Sequence, residues 1–300
     1  TAKQLASLLI GLVFVFLLLE QLSRGRRRFE TTGRASHHRN IVLTGHKKWF
    51  ATLYCGLILC LSFVIPIIQL TAWAMSSWQQ IVFGELLMQI WHSVSISLMS
   101  AVAVAVVALF IAIASGLDKS RYALIATKIS TLGYAIPGTV LAVGVFVPVA
   151  WLDNWLITNM AVFSGSDAIF KGTIFAMLIA LLIRFLALGV QSVDAGMKRI
   201  RNTHIEAAAS LGATPFGTVY RVYLPLIKSA LGVSMLMVFV DTMKEMPITL
   251  MMRPFNWDTL AVRIFAFTSE GLYDKASFPA LAIILTGLIP VILFSKMNQK

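Results

Sequence analysis

The chain reads as an all-α protein, a polytopic transmembrane helical bundle, and three observations predict it. Of 300 residues, 58% are hydrophobic and 13% charged, where soluble domains carry roughly one quarter charged. About seven apolar runs approach or reach the ~20 residues that a helix needs to cross a bilayer. The runs are apolar on every side, whereas the strands of a membrane barrel would alternate apolar and polar over about ten residues.

Taken in order, the runs cover Ala6–Leu22, Phe50–Met75, Ser93–Ser115, Ile129–Ala150, Gly172–Gly189, Ser229–Phe239 with its continuation, and Ser277–Phe294. No charged side chain stands between Phe50 and Gly84. The first run is followed by residues 23–48, rich in Arg, Gly, Ser and Thr. That arrangement reads as one helix (1–22), the last of something upstream, then a basic cytoplasmic linker (23–48), then the body of the protein (49–300).

The net charge of +12 would suit nucleic acid if it were gathered on one surface, but it is distributed by connection. Arg24, Arg26, Arg27, Arg28, Arg34, Arg39, Lys47 and Lys48 fill the first; Lys119, Arg121 and Lys128 the third; Lys198, Arg199, Arg201, Arg221 and Lys228 the fifth; Lys296 and Lys300 close the chain. Every second connection is basic. The positive-inside rule therefore places this set in the cytoplasm and the 76–90 and 255–275 connections outside, and nucleic acid is not an expected partner. Cys55 and Cys60, five residues apart in one apolar run, face different sides of a helix and predict neither a disulfide nor a metal site. His37, His38, His46, His92 and His204 have no metal-ligand spacing, and no residue set suggests hydrolysis.

The fifth connection, 191–228, is too polar to span and too well punctuated to be a tether. Thr203 and Glu206 have capping-box spacing, Ala207 to Leu211 extend a helix, and Gly212 can end it in the left-handed conformation. Thr214-Pro215 starts a second helix, which Leu224-Pro225 is expected to end. A helix of about eight residues is not stable alone in water, so the module must dock.

Glu206-Ala207-Ala208, then Gly212, Val222 and Leu224-Pro225, resembles the EAA loop of the membrane subunits of binding-protein-dependent ABC importers, with Val222 where Ile is commoner. The resemblance implies a six-helix type I importer permease core, here preceded by one extra helix, in a bacterial inner membrane. It implies that Thr203, Glu206, Ala207, Ala208, Gly212, Leu224 and Pro225 couple to a cytoplasmic ABC ATPase dimer. No G-x-x-x-x-G-K-[ST] loop occurs, so no cofactor is expected in this chain, ATP and Mg²⁺ being bound by that partner. An extracytoplasmic substrate-binding protein, a second permease half and membrane lipid complete the expected partners. Residues 132–153 and 239–265 are most similar to ferric-iron importer permeases, often two fused halves; thiamine, polyamine and sulfate permeases share much of the architecture. An ion-driven secondary transporter would need more acidic residues at mid-membrane, and a membrane-embedded enzyme would rest only on the few intramembrane charges.

Those charges are Arg184, Asp241, Lys244 and Glu245. Each costs at least about 2.5–3.5 kcal/mol at mid-depth, so such residues face a cavity or one another. By i, i+3, i+4 spacing Asp241, Lys244 and Glu245 share a helical face. Two readings stand: a polar lining of the translocation path near its outer mouth, or a structural salt bridge such as Lys244 with Asp241. Pro247 suggests a helix break at the membrane edge.

Overall fold

A computed structural model describes residues 15, 44–117, 125, 129–160, 168–198, 200 and 202–298. The expected first helix, most of the basic linker, and Lys119, Arg121, Lys128, Arg199, Arg201 and Lys300 lie outside the described residues. The described elements are helical, and six stretches are long and apolar enough to cross a membrane. They are His46–Gln80, Phe83–Ser115, Gly138–Asn159, Ile174–Met197, Val219–Met243 and Tyr273–Lys296, one for each of the last six apolar runs.

The chain divides into two compact units, Thr1–Ser76 and Ser77–Lys300. In the first, α1 (His46–Leu59) passes through a π-helical turn (Cys60–Val64) into α2 (Ile65–Ser77). Pro66 explains the wide turn. Proline has no N–H and its ring clashes with the carbonyl four residues back, so the preceding turn opens and the Ile65 N–H reaches Cys60 O instead.

The second unit is built on three helices: α3 (Phe83–Leu117), α5 (Ile174–Met197) and α8 (Leu224–Met243). Without a hydrophobic drive between helices in lipid, close approach of small residues holds them together. They supply it: Ala101, Ala105 and Ala108 on α3, and Ala180, Ala187 and Gly189 on α5, are all buried. At Gly189 all three helices approach one another. A Cβ there would stand 2.5 Å from Val104 Cγ1 and 3.3 Å from Ser234 Oγ, so α3, α5 and α8 meet over a residue that must be glycine.

Around this core pack α4 (Gly138–Asn159), α9 (Pro247–Met252), α10 (Leu260–Ser269) and α11 (Tyr273–Asn298). α4 starts later than the apolar run that begins at Ile129, because Pro137 forces an extended residue before it. Asp153, fully buried on α4, accepts N–H bonds from Ile169 (3.1 Å), Phe170 (2.9 Å) and Lys171 (2.8 Å) and so ties the connection that precedes α5 back onto α4. Thr173 caps α5 by accepting from Ala176 N.

Candidate functional site

Two features of the second unit hold the residues singled out in the sequence: a short helical module between α5 and α8, and a charged cluster inside the bundle.

In the module, α6 runs Asn202–Ser210 and α7 Pro215–Thr218. Gly212 has φ +78°, the left-handed conformation expected of it. The Ala213 N–H returns to Ala208 O at 3.0 Å, which satisfies a carbonyl that the end of α6 would leave open. Thr214 caps α7, its hydroxyl accepting from Gly217 N at 3.1 Å. Two expectations are corrected. Because α6 already begins at Asn202, Thr203 lies in the first turn and is not the N-cap, so the Thr203–Glu206 capping box is not formed. Nor does Leu224-Pro225 end a helix: α7 continues through a π turn (Val219–Tyr223) directly into α8, with the Leu224 N–H bonded to Val219 O. The extra residue in that turn makes room for Pro225, as it does for Pro66.

Thr203, Glu206, Ala207, Ser210 and Leu211 follow the i, i+3, i+4, i+7, i+8 pattern and are all exposed, Leu211 at 88%. α6, with Leu211 just beyond it, thus shows an exposed stripe with an apolar end. α6 touches its own chain through α7 and the π turn. Ala208 and Leu224 are half-buried, and Pro225 is exposed.

In the bundle, α8 stops at Met243 and α9 begins at Pro247. Asp241 and Lys244 pair as the spacing suggested, Nζ to Oδ1 at 2.8 Å, with Lys244 largely exposed and the Tyr134 hydroxyl 3.5 Å from Asp241 Oδ2. Glu245 does not share their face. Beyond the end of α8 the helical register no longer holds, and Glu245 turns inward to 6% exposure. Its Oε2 lies 3.1 Å from Arg184 Nε, and its Oε1 accepts the Ile248 N–H of α9 at 3.2 Å. The Arg184 Nη1 donates to Ile136 O, just before α4, at 3.3 Å. Arg184 stands ten residues along α5 from Ile174, about 15 Å at helical rise. The break before Pro247, which follows the last residue of the Val219–Met243 span, therefore lies beside the middle of α5.

The sequence did not single out Gly138, which packs beneath this pair: a Cβ there would be 2.8 Å from Arg184 Nη1 and 3.1 Å from Glu245 Oε1. It also passed over Asp153 and the Arg253–Asp258 ion pair. A lone Asp closing an apolar run is the one signal that could have pointed to Asp153. Among the described residues no group of three or more His, Cys, Asp or Glu is arranged to hold a metal.

Comparison with known proteins agrees with this architecture. The chain is 24% identical over its whole length to the Fe(3+)-transport system permease protein FbpB 2 of Haemophilus influenzae, of which it spans 58%. It is 32% identical over 47% of its length to the permease protein PhnV of Salmonella typhimurium, named for 2-aminoethylphosphonate transport, of which it spans 52%. The chain thus spans little more than half the length of these relatives. A chain from the crystal structure of a bacterial alginate ABC transporter in complex with its alginate-bound periplasmic protein shares the fold at TM-score 0.62 and 18% identity, covering 84% of this chain and 93% of that one. Residues 108–299, which include both the module and the Arg184–Glu245 pair, match the sequence profile of one family of transport permeases, and with it the chain belongs to the binding-protein-dependent transport system inner membrane components.

Proposed function

We propose that this chain forms the translocation path of an ATP-driven importer and takes up the motion of a separate cytoplasmic ATPase dimer through residues 203–225. One observation carries the reading. The exposed stripe of α6 is joined, by the Gly212 turn and an unbroken helix from Pro215 to Met243, to a break at which Glu245 grips Arg184. A push on α6 is delivered along α8 to the break that follows its far end. Arg184, Asp241, Lys244 and Glu245 line the path or control its width. ATP and Mg²⁺ belong to the ATPase, and a second permease half and an extracytoplasmic binding protein complete the importer.

The substrate we favour is ferric iron. The relative named for Fe(3+) transport aligns with the whole chain, whereas the one named for 2-aminoethylphosphonate aligns with under half. The test is uptake of radiolabelled ferric iron by membranes carrying the assembled importer, together with identification of the proteins that co-purify with this chain. An ATPase among them and ATP-dependent iron uptake are the expected results. Co-purification of an ATPase without iron uptake would redirect the substrate to another small solute; no ATPase at all would remove the importer reading.

A further inference from the structure

Two cavities adjoin on the first turns of α3. One, of about 600 Å³, is polar and includes Glu85, Gln89, His92, Asn256, Asp258 and Arg263 in its wall. The other, of about 550 Å³, is an apolar groove walled by Leu87, Ile90, Trp91 and Val94. Gly84 and Met88 belong to both. A Cβ on Gly84 would meet nothing within 4 Å, and Met is the most adaptable of apolar side chains, so the edge of α3 that the two cavities share is low at Gly84 and yielding at Met88. Both volumes lie in the range of small-molecule sites.

The polar cavity has uncommitted hydrogen-bonding groups. Gln89 is only 8% exposed, yet among the described residues its amide, with two donors and an acceptor oxygen, has no partner. The His92 ring stacks on Trp257 with centroids 3.9 Å apart, and its Nδ1 lies 3.2 Å from Asp258 O. A carbonyl only accepts, so Nδ1 carries the proton and Nε2 is left as an acceptor. Both signs of charge are present: Arg263 meets Glu85 at a loose 3.5 Å, and Asp258 pairs with Arg253.

Depth indicates what fills the site. The 35 residues of α3 extend about 52 Å, some 20 Å more than the ~30 Å hydrocarbon core. Shared between the two ends, that excess puts the start of α3, with Glu85, at headgroup depth, while the apolar groove runs on past Trp91, 65% exposed and the amphipathic ring expected at that boundary, to Val94, about 15 Å from Gly84 toward the hydrocarbon. We propose that the double cavity seats one phospholipid, an acyl chain in the apolar groove and a zwitterionic ammonium–phosphate headgroup in the polar cavity. Arg263 and the Gln89 amide suit the phosphate, and Glu85, Asp258 and His92 Nε2 suit an ammonium that donates hydrogen bonds. An ethanolamine headgroup therefore fits better than choline, which has no N–H, or glycerol, which has no positive charge. The proposal rests on the chain's lying in a bilayer with this face of α3 open to lipid, not on what it transports.

The test uses the intact complex containing this chain, reconstituted in nanodiscs of equal parts phosphatidylethanolamine, phosphatidylglycerol and phosphatidylcholine. Native mass spectrometry then counts the lipid that survives stripping of the bulk. At least tenfold preference for phosphatidylethanolamine is expected, with retention lowered at least tenfold by Gly84→Leu, which fills the junction, and by Gln89→Leu. Gly84 stands in open space, so its variant assembles even if Gln89→Leu does not. Equal retention of the three lipids, preference for phosphatidylglycerol, no retained lipid, or wild-type retention in Gly84→Leu would each overturn the proposal.

Discussion

Arg184 Nε and Glu245 Oε2 lie 3.1 Å apart inside a helical bundle, and the two oxygens of that one carboxylate bind different elements: Arg184 of α5 through Oε2, and the Ile248 N–H of α9 through Oε1. Removing one member of such a pair leaves the other charged and buried, which costs about 3–5 kcal/mol. Arg184→Met and Glu245→Gln are therefore each expected to lower the yield of folded protein from the membrane, and the double variant to recover much of it. Uptake per assembled complex should stay low in the double variant if the pair also controls the path. Full uptake per complex there would leave the pair a structural role only.

Gly138 offers a gentler probe of the same place. Gly138→Ala would press a methyl group against the guanidinium and the carboxylate together. Overpacking of this kind costs about 1–3 kcal/mol, and here the cheapest relief is to part the ion pair. We expect Gly138→Ala to reduce both thermal stability and uptake, while Gly144→Ala, which meets nothing within 4 Å, serves as the neutral control. Equal behaviour of the two variants would disconnect Gly138 from the pair.

At the centre of the bundle, Gly189→Ala should destabilise by crowding Val104, and the shorter side chain of Val104→Ala should partly rescue it. Thermal unfolding of the two single variants and the double variant measures the coupling. Strict additivity would contradict the three-helix contact.

The module gives a functional prediction. Gly212→Val puts a β-branched residue at φ +78°, where an L side chain costs about 1–2 kcal/mol or more. Glu206→Lys reverses the charge on the exposed stripe at the middle of α6, the face that would meet the partner. Neither change touches the bundle core, so both subunits should reach the membrane in normal amounts and fail to couple. Substrate-stimulated ATP hydrolysis at the wild-type rate in both variants would exclude the module from the mechanism.

Topology is checked with single cysteines introduced into the protein. Labelling from outside should reach positions in 76–90 and 255–275 and spare position 205. Label at 205 in sealed cells would invert the orientation and the docking role together.

How much was legible beforehand follows from the range of the forces involved. The six described spans are a matter of composition and length, and those are properties of the sequence. Gly212 and Thr214 act on their immediate neighbours, so the turn and the second cap were readable. Pro225 was misread because a proline that normally ends a helix was absorbed by a wide turn, and no residue code distinguishes the two. The grouping of Asp241, Lys244 and Glu245 followed helical periodicity two residues past the point where the helix stops. The partner of Glu245 lies 61 positions away on another helix, and the side chains that demand glycine at 138 are likewise distant in sequence. Such pairings depend on how helices are set against one another, which a single sequence does not encode locally.

The π turns before Pro66 and Pro225 amount to one surplus residue each in an otherwise regular spiral. Removing a residue from Val219–Tyr223 would restore the ordinary pitch, and every residue on the α6 side would then be swung by about 100° around the axis of α8. The exposed stripe of α6 would point a quarter-turn away from its docking partner with every side chain intact. In this protein the spacing between Gly212 and Pro225 is thus a phase setting: substitutions along it should be forgiven far more readily than a change in its length.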